Sequence, residues 1–250
     1  MDKNHFSRKE NRPPLKWIPI ALILLFLAAT GFGFLKSSFF LVDNIDILGL
    51  TTIKHDEIMA VANYTRNSNI FDVDLVTLTK RIEADPRIDK ALIKRRFPST
   101  LSVEVTERTK IAVMPYSGHY VFIDPQGFAV GITESYTEKD PPLITGIKPQ
   151  QVLIGKKIEG NGLAFALLVT SILPPHIIKD ISEINFKEDI GISVYMQCGT
   201  LVILGLGTRD EYLTRLDVFD SLFYKLDDDK KHASYIDVRF PKRPVIKGRK

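Results

Sequence analysis

Cysteine is almost missing from this chain. Cys198 is the only one in 250 residues, so no intramolecular disulfide can exist. It sits in a strand-like apolar run, where a free cysteine usually serves as a small buried hydrophobe. It also lies far from the N-terminal segment, which excludes a lipoprotein-type anchoring cysteine. Histidine is scarce too. His5, His55, His119, His176 and His232 are far apart, and none has a partner at metal-ligand spacing. Gly-x-Ser-x-Gly, Ser-x-x-Lys and His-Glu-x-x-His are absent, which removes the usual signatures of envelope hydrolases. Gly205-Leu206-Gly207 lacks the third glycine of a dinucleotide fingerprint and reads as a strand-to-helix turn. Asp227-Asp228-Asp229 lacks the rest of a calcium loop and reads as a solvated helix end. Asn63-Tyr64-Thr65 matches a glycosylation acceptor by pattern only. No basic stripe is interleaved with aromatics, so nucleic acid is a poor partner. Nothing asks for a cofactor, a metal or a small-molecule substrate.

What is present is a chain of ordinary composition, 44% hydrophobic and 26% charged, which argues against global disorder. The net charge of +4 is modest, and its placement matters more than its sum. Lys3, Arg8, Lys9, Arg12 and Lys16 crowd the start; Lys242, Arg243, Lys247, Arg249 and Lys250 crowd the finish. Between Lys16 and Lys36 runs an uncharged apolar stretch, Trp17 to Leu35. As a helix it covers roughly 28 Å, close to the hydrocarbon core of a bilayer. Trp17 occupies an interfacial position, and Pro19 falls in the first turn, where its missing N–H costs little. A buried core helix would be amphipathic, whereas this stretch is apolar all round. A cleaved signal peptide would have a shorter apolar region and a small-x-small site; Ala29-Thr30-Gly31 imitates one, but Phe32, Phe34 and Leu35 continue past it. An uncleaved anchor is the favoured reading. The five Lys/Arg before the span, against Lys36 alone until Lys54 after it, put the N-terminus in the cytoplasm.

Beyond the span the pattern predicts a strand over 39–50 with Val42, Ile45 and Ile47 alternating, ended by Gly49. A helix near 54–64 would show Ile58, Val61 and Ala62 on one face. Asp72 or Asp74 can cap a second helix carrying Leu75, Leu78 and Ile82, stopped by Asp85-Pro86. Two strands follow, 88–96 and 101–106, joined at Phe97-Pro98-Ser99-Thr100. From Lys110 onward strands dominate: 111–116, 120–123 and 128–132, with a tight turn at Asp124-Pro125-Gln126-Gly127. Pro141 to Gly146 reads as an extended connector. Asn161 can cap a helix through Leu173, ended by Pro174-Pro175. Strands are expected at 181–186, 191–197 and 200–204. Thr208 and Glu211 form a capping box opening a helix with Tyr212, Leu216, Phe219, Phe223 and Leu226 on one face. Tyr235-Ile236-Asp237-Val238-Arg239-Phe240 is the last clear strand.

Strand, helix, helix, strand, strand over the first region, with Gly49, Pro86-Arg87-Ile88, Phe97-Pro98-Ser99-Thr100-Leu101, Val103-Glu104-Val105 and Glu107-Arg108 in order, resembles a POTRA domain of the FtsQ/DivIB type. The closing helix and Tyr-Ile-Asp-hydrophobic-Arg-aromatic strand resemble that family's C-terminal signature, and the similarity runs from about 17 to about 246. Pro241 and Pro244 depart from it and leave the length of the final strand open. The fold class is therefore α+β: a cytoplasmic basic tail over 1–16, a transmembrane helix over 17–35, a POTRA-like domain over 39–108, a mixed β-rich FtsQ-type domain with two helices over 109–246, and a basic tail over 247–250.

What the resemblance implies is a non-enzymatic divisome scaffold in the cell membrane at the division septum, its C-terminal region periplasmic or extracellular. It would bind small coiled-coil division proteins of the FtsB/FtsL (DivIC) type and link them to the septal peptidoglycan synthase complex. The alternatives are a membrane-anchored envelope hydrolase, another POTRA-containing envelope assembly protein, or a binding protein released by signal cleavage. The candidate partner site is Phe223, Tyr235, Ile236, Asp237, Val238, Arg239 and Phe240, with Arg239 gripping a carboxylate and Phe240 supplying apolar anchoring. A reporter fused after Lys250 is expected to be active only in a form that works outside the cytoplasm. Activity of a cytoplasm-only reporter would reverse the orientation.

Overall fold

The computed structural model describes residues 17–137, 139–223 and 233–248. The tail over 1–16, Leu226, Asp227-Asp228-Asp229 and the last two basic residues lie outside them. Helix α1 is Trp17–Leu35, with no residue buried. Among the described residues it is the one helix long and apolar enough to cross a membrane, and it fits a single-pass anchor.

The strand expected over 39–50 starts late. Ser38–Phe40 form a tight 3-10 turn and β1 is only Asn44–Leu48. Ring packing is the reason: Phe40 is buried with its ring centroid 5.3 Å from Phe34 and 5.2 Å from Phe71. Gly49 ends β1 at φ +86°, and a Cβ there would fall 2.1 Å from the Val105 carbonyl oxygen, so no other residue fits.

Helix α2 (His55–Ala62) buries Ile58 and Ala62, while Val61, expected on the same face, is exposed. Of the two candidate caps for α3 (Leu75–Ile82), Asp74 serves, accepting the N–H groups of Val76 and Thr77 at 3.0 and 3.1 Å. Strands β2 (Ile88–Arg96) and β3 (Thr100–Glu107) complete a sheet of order β1-β3-β2, with β1 parallel to β3. Ile58, Leu78, Ile82, Leu101 and Val103 belong to the core beneath α2 and α3.

The second sheet has nine strands: β4 (Ala112–Tyr116), β5 (His119–Ile123), β6 (Ala129–Thr133), β7 (Leu143–Thr145), β8 (Ile181–Lys187), β9 (Gly191–Met196), β10 (Leu201–Gly205), β11 (Ala233–Asp237) and β12 (Val245–Gly248). Their order is β12-β11-β10-β9-β8-β7-β4-β5-β6. Helices α4 (Leu163–Ile172), α5 (Pro175–Ile178) and α6 (Arg209–Phe223) supply Leu163, Leu167, Ile177, Tyr212 and Phe219 to a separate core. This is the α+β architecture expected, with four corrections. The connector at 141–146 contains β7, which pairs in parallel with both β4 and β8 and buries Ile144 completely. Asn161 does not cap α4; Gly162 does, at φ +82°, where a Cβ would fall 2.2 Å from the Phe186 ring, and Asn161 donates to Glu188 at 3.0 Å instead. The prolines at 174 and 175 start a further helix, α5, rather than only ending α4. After Pro244 the chain forms β12, so the prolines lie in a turn and not in a strand.

Glu107 shows why a strand ending in Glu-Arg suits this fold. Its carboxylate accepts the N–H groups of Thr51, Thr52 and Ile53 at 2.6, 3.0 and 3.0 Å, tying the end of β3 to the loop before α2. Burial alone would raise its pKa, but the hydroxyl of Thr52 and these amides outweigh it and hold the carboxyl at about 2. The folded value lies below the ordinary 4.5, so this stabilisation is complete above about pH 4.5 and fades as pH falls towards about 2. Glu107→Gln is expected to cost about 2 kcal/mol at neutral pH, with the deficit shrinking through that window in urea titrations. A deficit independent of pH would assign the loss to shape rather than charge. Because the two cores are distinct, residues 39–108 expressed alone are expected to unfold cooperatively; a non-cooperative melt would move the boundary.

Candidate partner interface

The far end of the large sheet is organised by α6. Its capping box forms as the sequence suggests: Thr208 N–H donates to Glu211 Oε2 at 2.7 Å, and Glu211 N–H donates to Thr208 Oγ1 at 3.4 Å. Those bonds to Thr208 hold the Glu211 carboxyl below its usual range. Tyr212, Leu216, Phe219 and Phe223 are buried as their spacing predicts. Arg215 is buried among them, which was not expected. Its Nη1 donates to the carbonyls of Leu204 and Leu206 at 2.8 and 2.7 Å. The Tyr212 hydroxyl donates to the Gly205 carbonyl at 3.1 Å, and burial pushes its pKa up. Gly205-Leu206-Gly207 is thus the strand-to-helix turn, clamped by two side chains of the helix it opens. A signal for Arg215 was there: it follows Glu211 by four and precedes Phe219 by four, on the same face.

Strand β11 lies between β10, to which it is parallel, and β12, to which it is antiparallel. The open edge is therefore β12, one strand beyond the segment singled out by pattern. All four residues of β12 are exposed, Val245 and Ile246 among them, and among the described residues no strand pairs its outer side.

The seven candidate residues separate by burial. Phe223, Ile236 and Val238 are core residues at 5%, 1% and 0% exposure, so they have no surface to offer a partner and support the site from beneath. Tyr235 is half-buried between Leu201 and Lys247 in register. Phe240 is 72% exposed. The Arg239 guanidinium, expected to grip a partner's carboxylate, is occupied within the chain: it chelates Asp237, with Nε at 3.1 Å from both oxygens and Nη2 at 2.7 Å from Oδ2. Burial would push the Asp237 carboxyl up, but the hydrogen bonds from Arg239 prevail and lower it; the same bonds raise Arg239. The stem of Arg239 runs over Gly205, where a Cβ would meet Cγ at 3.0 Å. Arg239, Phe240, Pro241 and Arg243 together with Thr214 of α6 line an open groove of about 540 Å³ at the turn that leads into β12. Lys242, Arg243 and Lys247 surround this corner with positive charge.

A larger cleft, about 890 Å³, opens elsewhere, between Lys110, Tyr136 and Lys179. Burial, then the charge of Asp140, pushes the Tyr136 phenol up and makes it a poorer proton donor. The cleft is far in sequence from the signature that closes the chain.

A family model described as the FtsQ-type POTRA domain matches residues 40–108, and one described as the C-terminal region of cell division protein FtsQ/DivIB matches residues 112–239. The chain belongs to the FtsQ/DivIB family. Its relatives include the cell division protein FtsQ of Syntrophotalea carbinolica, 26% identical over 91% of this chain and 81% of that one. The cell division protein DivIB of Clostridium acetobutylicum is 26% identical over 84% of each. A solved structure of the major extracytoplasmic domain of DivIB from Geobacillus stearothermophilus covers 45% of this chain and 87% of its own, at 20% identity and a TM-score of 0.34, too slight a likeness to argue from. In FtsQ/DivIB terms, the interface corner falls at the end of the matched C-terminal region, with Arg239 its last residue.

Proposed function

We propose that this FtsQ/DivIB chain is a non-enzymatic division scaffold whose exterior adds a partner strand to β12. The partner would be a small coiled-coil membrane protein of the FtsB/FtsL (DivIC) type, held at the septum and linked through it to septal peptidoglycan synthesis. The N-terminal tail would stay in the cytoplasm and the two sheets outside. One observation carries the reading: an unpaired sheet edge is entered from a turn that lines a groove and presents an exposed Phe240. Main-chain hydrogen bonds along β12 would supply affinity, and the groove would select a side chain of the partner. Lys242, Arg243 and Lys247 favour an acidic segment, and speed its arrival. Pro244, directly before β12, keeps the edge short and so limits indiscriminate pairing.

In this arrangement Tyr235, Asp237, Arg239 and Phe240 are the residues that address the partner. Phe240 is the apolar anchor. Arg239 is a positioning residue, folded onto Asp237 so that its stem forms one groove wall. Phe240→Ala in the full-length chain is expected to weaken binding of the FtsB/FtsL-type exterior by more than tenfold, about 2 kcal/mol. Its melting temperature should not change, since the ring is exposed. Arg239→Ala should weaken binding and also release Asp237. Unaltered affinity in both variants, measured by titration calorimetry, would put the partner elsewhere.

A further inference from the structure

Three phenylalanines from separate segments come together where α1 ends. Phe39 lies in the 3-10 turn after α1, Phe71 in the loop before α3, and Phe97 in the turn between β2 and β3. Their exposures are 57%, 40% and 60%, high for the most apolar of aromatic side chains outside a membrane span. They are not scattered. Phe34, in the last turn of α1, stacks on Phe39 at 5.9 Å and meets Phe40 edge-on at 5.3 Å. Phe40 passes the contact to Phe71 at 5.2 Å, and Phe71 to Phe97 at 5.2 Å. A continuous row of rings, joined through buried Phe40, therefore leads off α1 and across the base of the small domain, with Phe39, Phe71 and Phe97 exposed along it.

We propose that this patch is a membrane seat, with Phe39, Phe71 and Phe97 lying in the headgroup–acyl boundary of the lipid leaflet. The occupant is lipid because the patch is continuous with the span. A helix of this length reaches about as far as the hydrocarbon core, so the boundary begins near Phe34 and Leu35. Exposed contiguous apolar surface marks an interaction site, and rings at this depth are what interfacial segments bury. Polar tethers fix the domain to the helix end. The Asn69 side-chain amide donates to the Leu35 carbonyl at 2.7 Å, filling an acceptor the helix leaves open. Lys36, immediately after the span, pairs with Asp72 at 2.6 Å, at the level where lysine meets headgroups. With the loop 69–72 bound to the helix at two points, the small domain cannot swing freely about residues 36–38. The seat sets its tilt on the bilayer. This inference is independent of the partner site on β12.

The test uses the full-length chain with its only tryptophan removed, Trp17→Phe, and one reporter introduced, Phe97→Trp. It is reconstituted into phosphatidylethanolamine–phosphatidylglycerol vesicles, with and without lipids brominated near the top of the acyl chains. The expected result is blue-shifted emission, severalfold quenched by brominated lipid and little affected by acrylamide. The same reporter at exposed Ile132 in β6, the opposite edge of the large sheet, should emit as in water and ignore bromine. If Phe97→Trp lowers the melting temperature, Phe39→Trp reads the same boundary from the adjoining turn. Emission insensitive to bromine overturns the proposal in either form: open to acrylamide, the patch is bare; shielded from acrylamide, a protein covers it.

Discussion

Arg108 joins the two sheets. Its Nη1 lies 2.6 Å from Oδ2 of Asp124 and 3.2 Å from Asp89, and its guanidinium sits 4.4 Å above the Phe128 ring centroid. Asp124 is completely buried, and its other oxygen accepts the N–H groups of Gln126 and Phe128 at 3.0 and 2.8 Å. A buried carboxylate stripped of its cation would be destabilising by several kcal/mol, on the order of 3 or more, because no water replaces the lost partner. The turn between β5 and β6 therefore needs a residue that belongs to the end of the preceding domain. Glu107, the last residue of β3, closes the loop before α2, while Arg108 lies one residue beyond the strand. Two adjacent side chains of opposite charge thus serve two different cores.

The large sheet is mostly antiparallel, but the exceptions determine its shape. Strand β7 is parallel to both neighbours and β11 is parallel to β10. A parallel neighbour cannot be reached by a hairpin; it needs a longer connection, and here β7 reaches β8 through α4 and α5, β10 reaches β11 through α6, and β4 reaches β7 by way of β5 and β6. The helices that cover the core are a consequence of those joins. The crossover through α6 also delivers β11 to the outside of β10, so that a short hairpin suffices to leave β12 at the rim. The position of the proposed partner corner at the edge is a topological result, reinforced by Arg215, which binds the carbonyls of Leu204 and Leu206 where α6 is launched.

Long periodic segments were legible in the sequence. The apolar helix, α3 with a cap narrowed to Asp72 or Asp74, β2 with β3, the hairpin at Asp124 to Gly127, and α6 with its capping box all follow from spacing and cap chemistry. Strand β7 was not legible, since three residues between Pro142 and Gly146 are too few to show alternation and its pairing comes from distant segments. Phe39 and Phe40 look like strand residues until the rings of Phe34 and Phe71, far apart in sequence, draw them into a turn. At the candidate partner corner, the sequence pattern placed Ile236 and Val238 in the partner site, whereas both are buried in the core. It could not reveal that Asp237, two residues away, would occupy the guanidinium of Arg239, because that contact depends on rotamers. Nor could it place β12, whose exposed Val245 and Ile246 have no alternating partner to betray them.

The pairing of β1 with β3 has a mechanical side. These strands run parallel, matched at five positions from Asn44–Thr100 to Leu48–Glu104. The chain from α1 enters at the N-terminal end of β1, and the chain towards the large sheet leaves from the C-terminal end of β3. Tension between the anchor and the large sheet thus pulls the two strands past one another along their length. Every rung of the ladder takes the load together, where an antiparallel hairpin pulled at its open end would unzip rung by rung. The small domain is strung between its attachments as a shear joint.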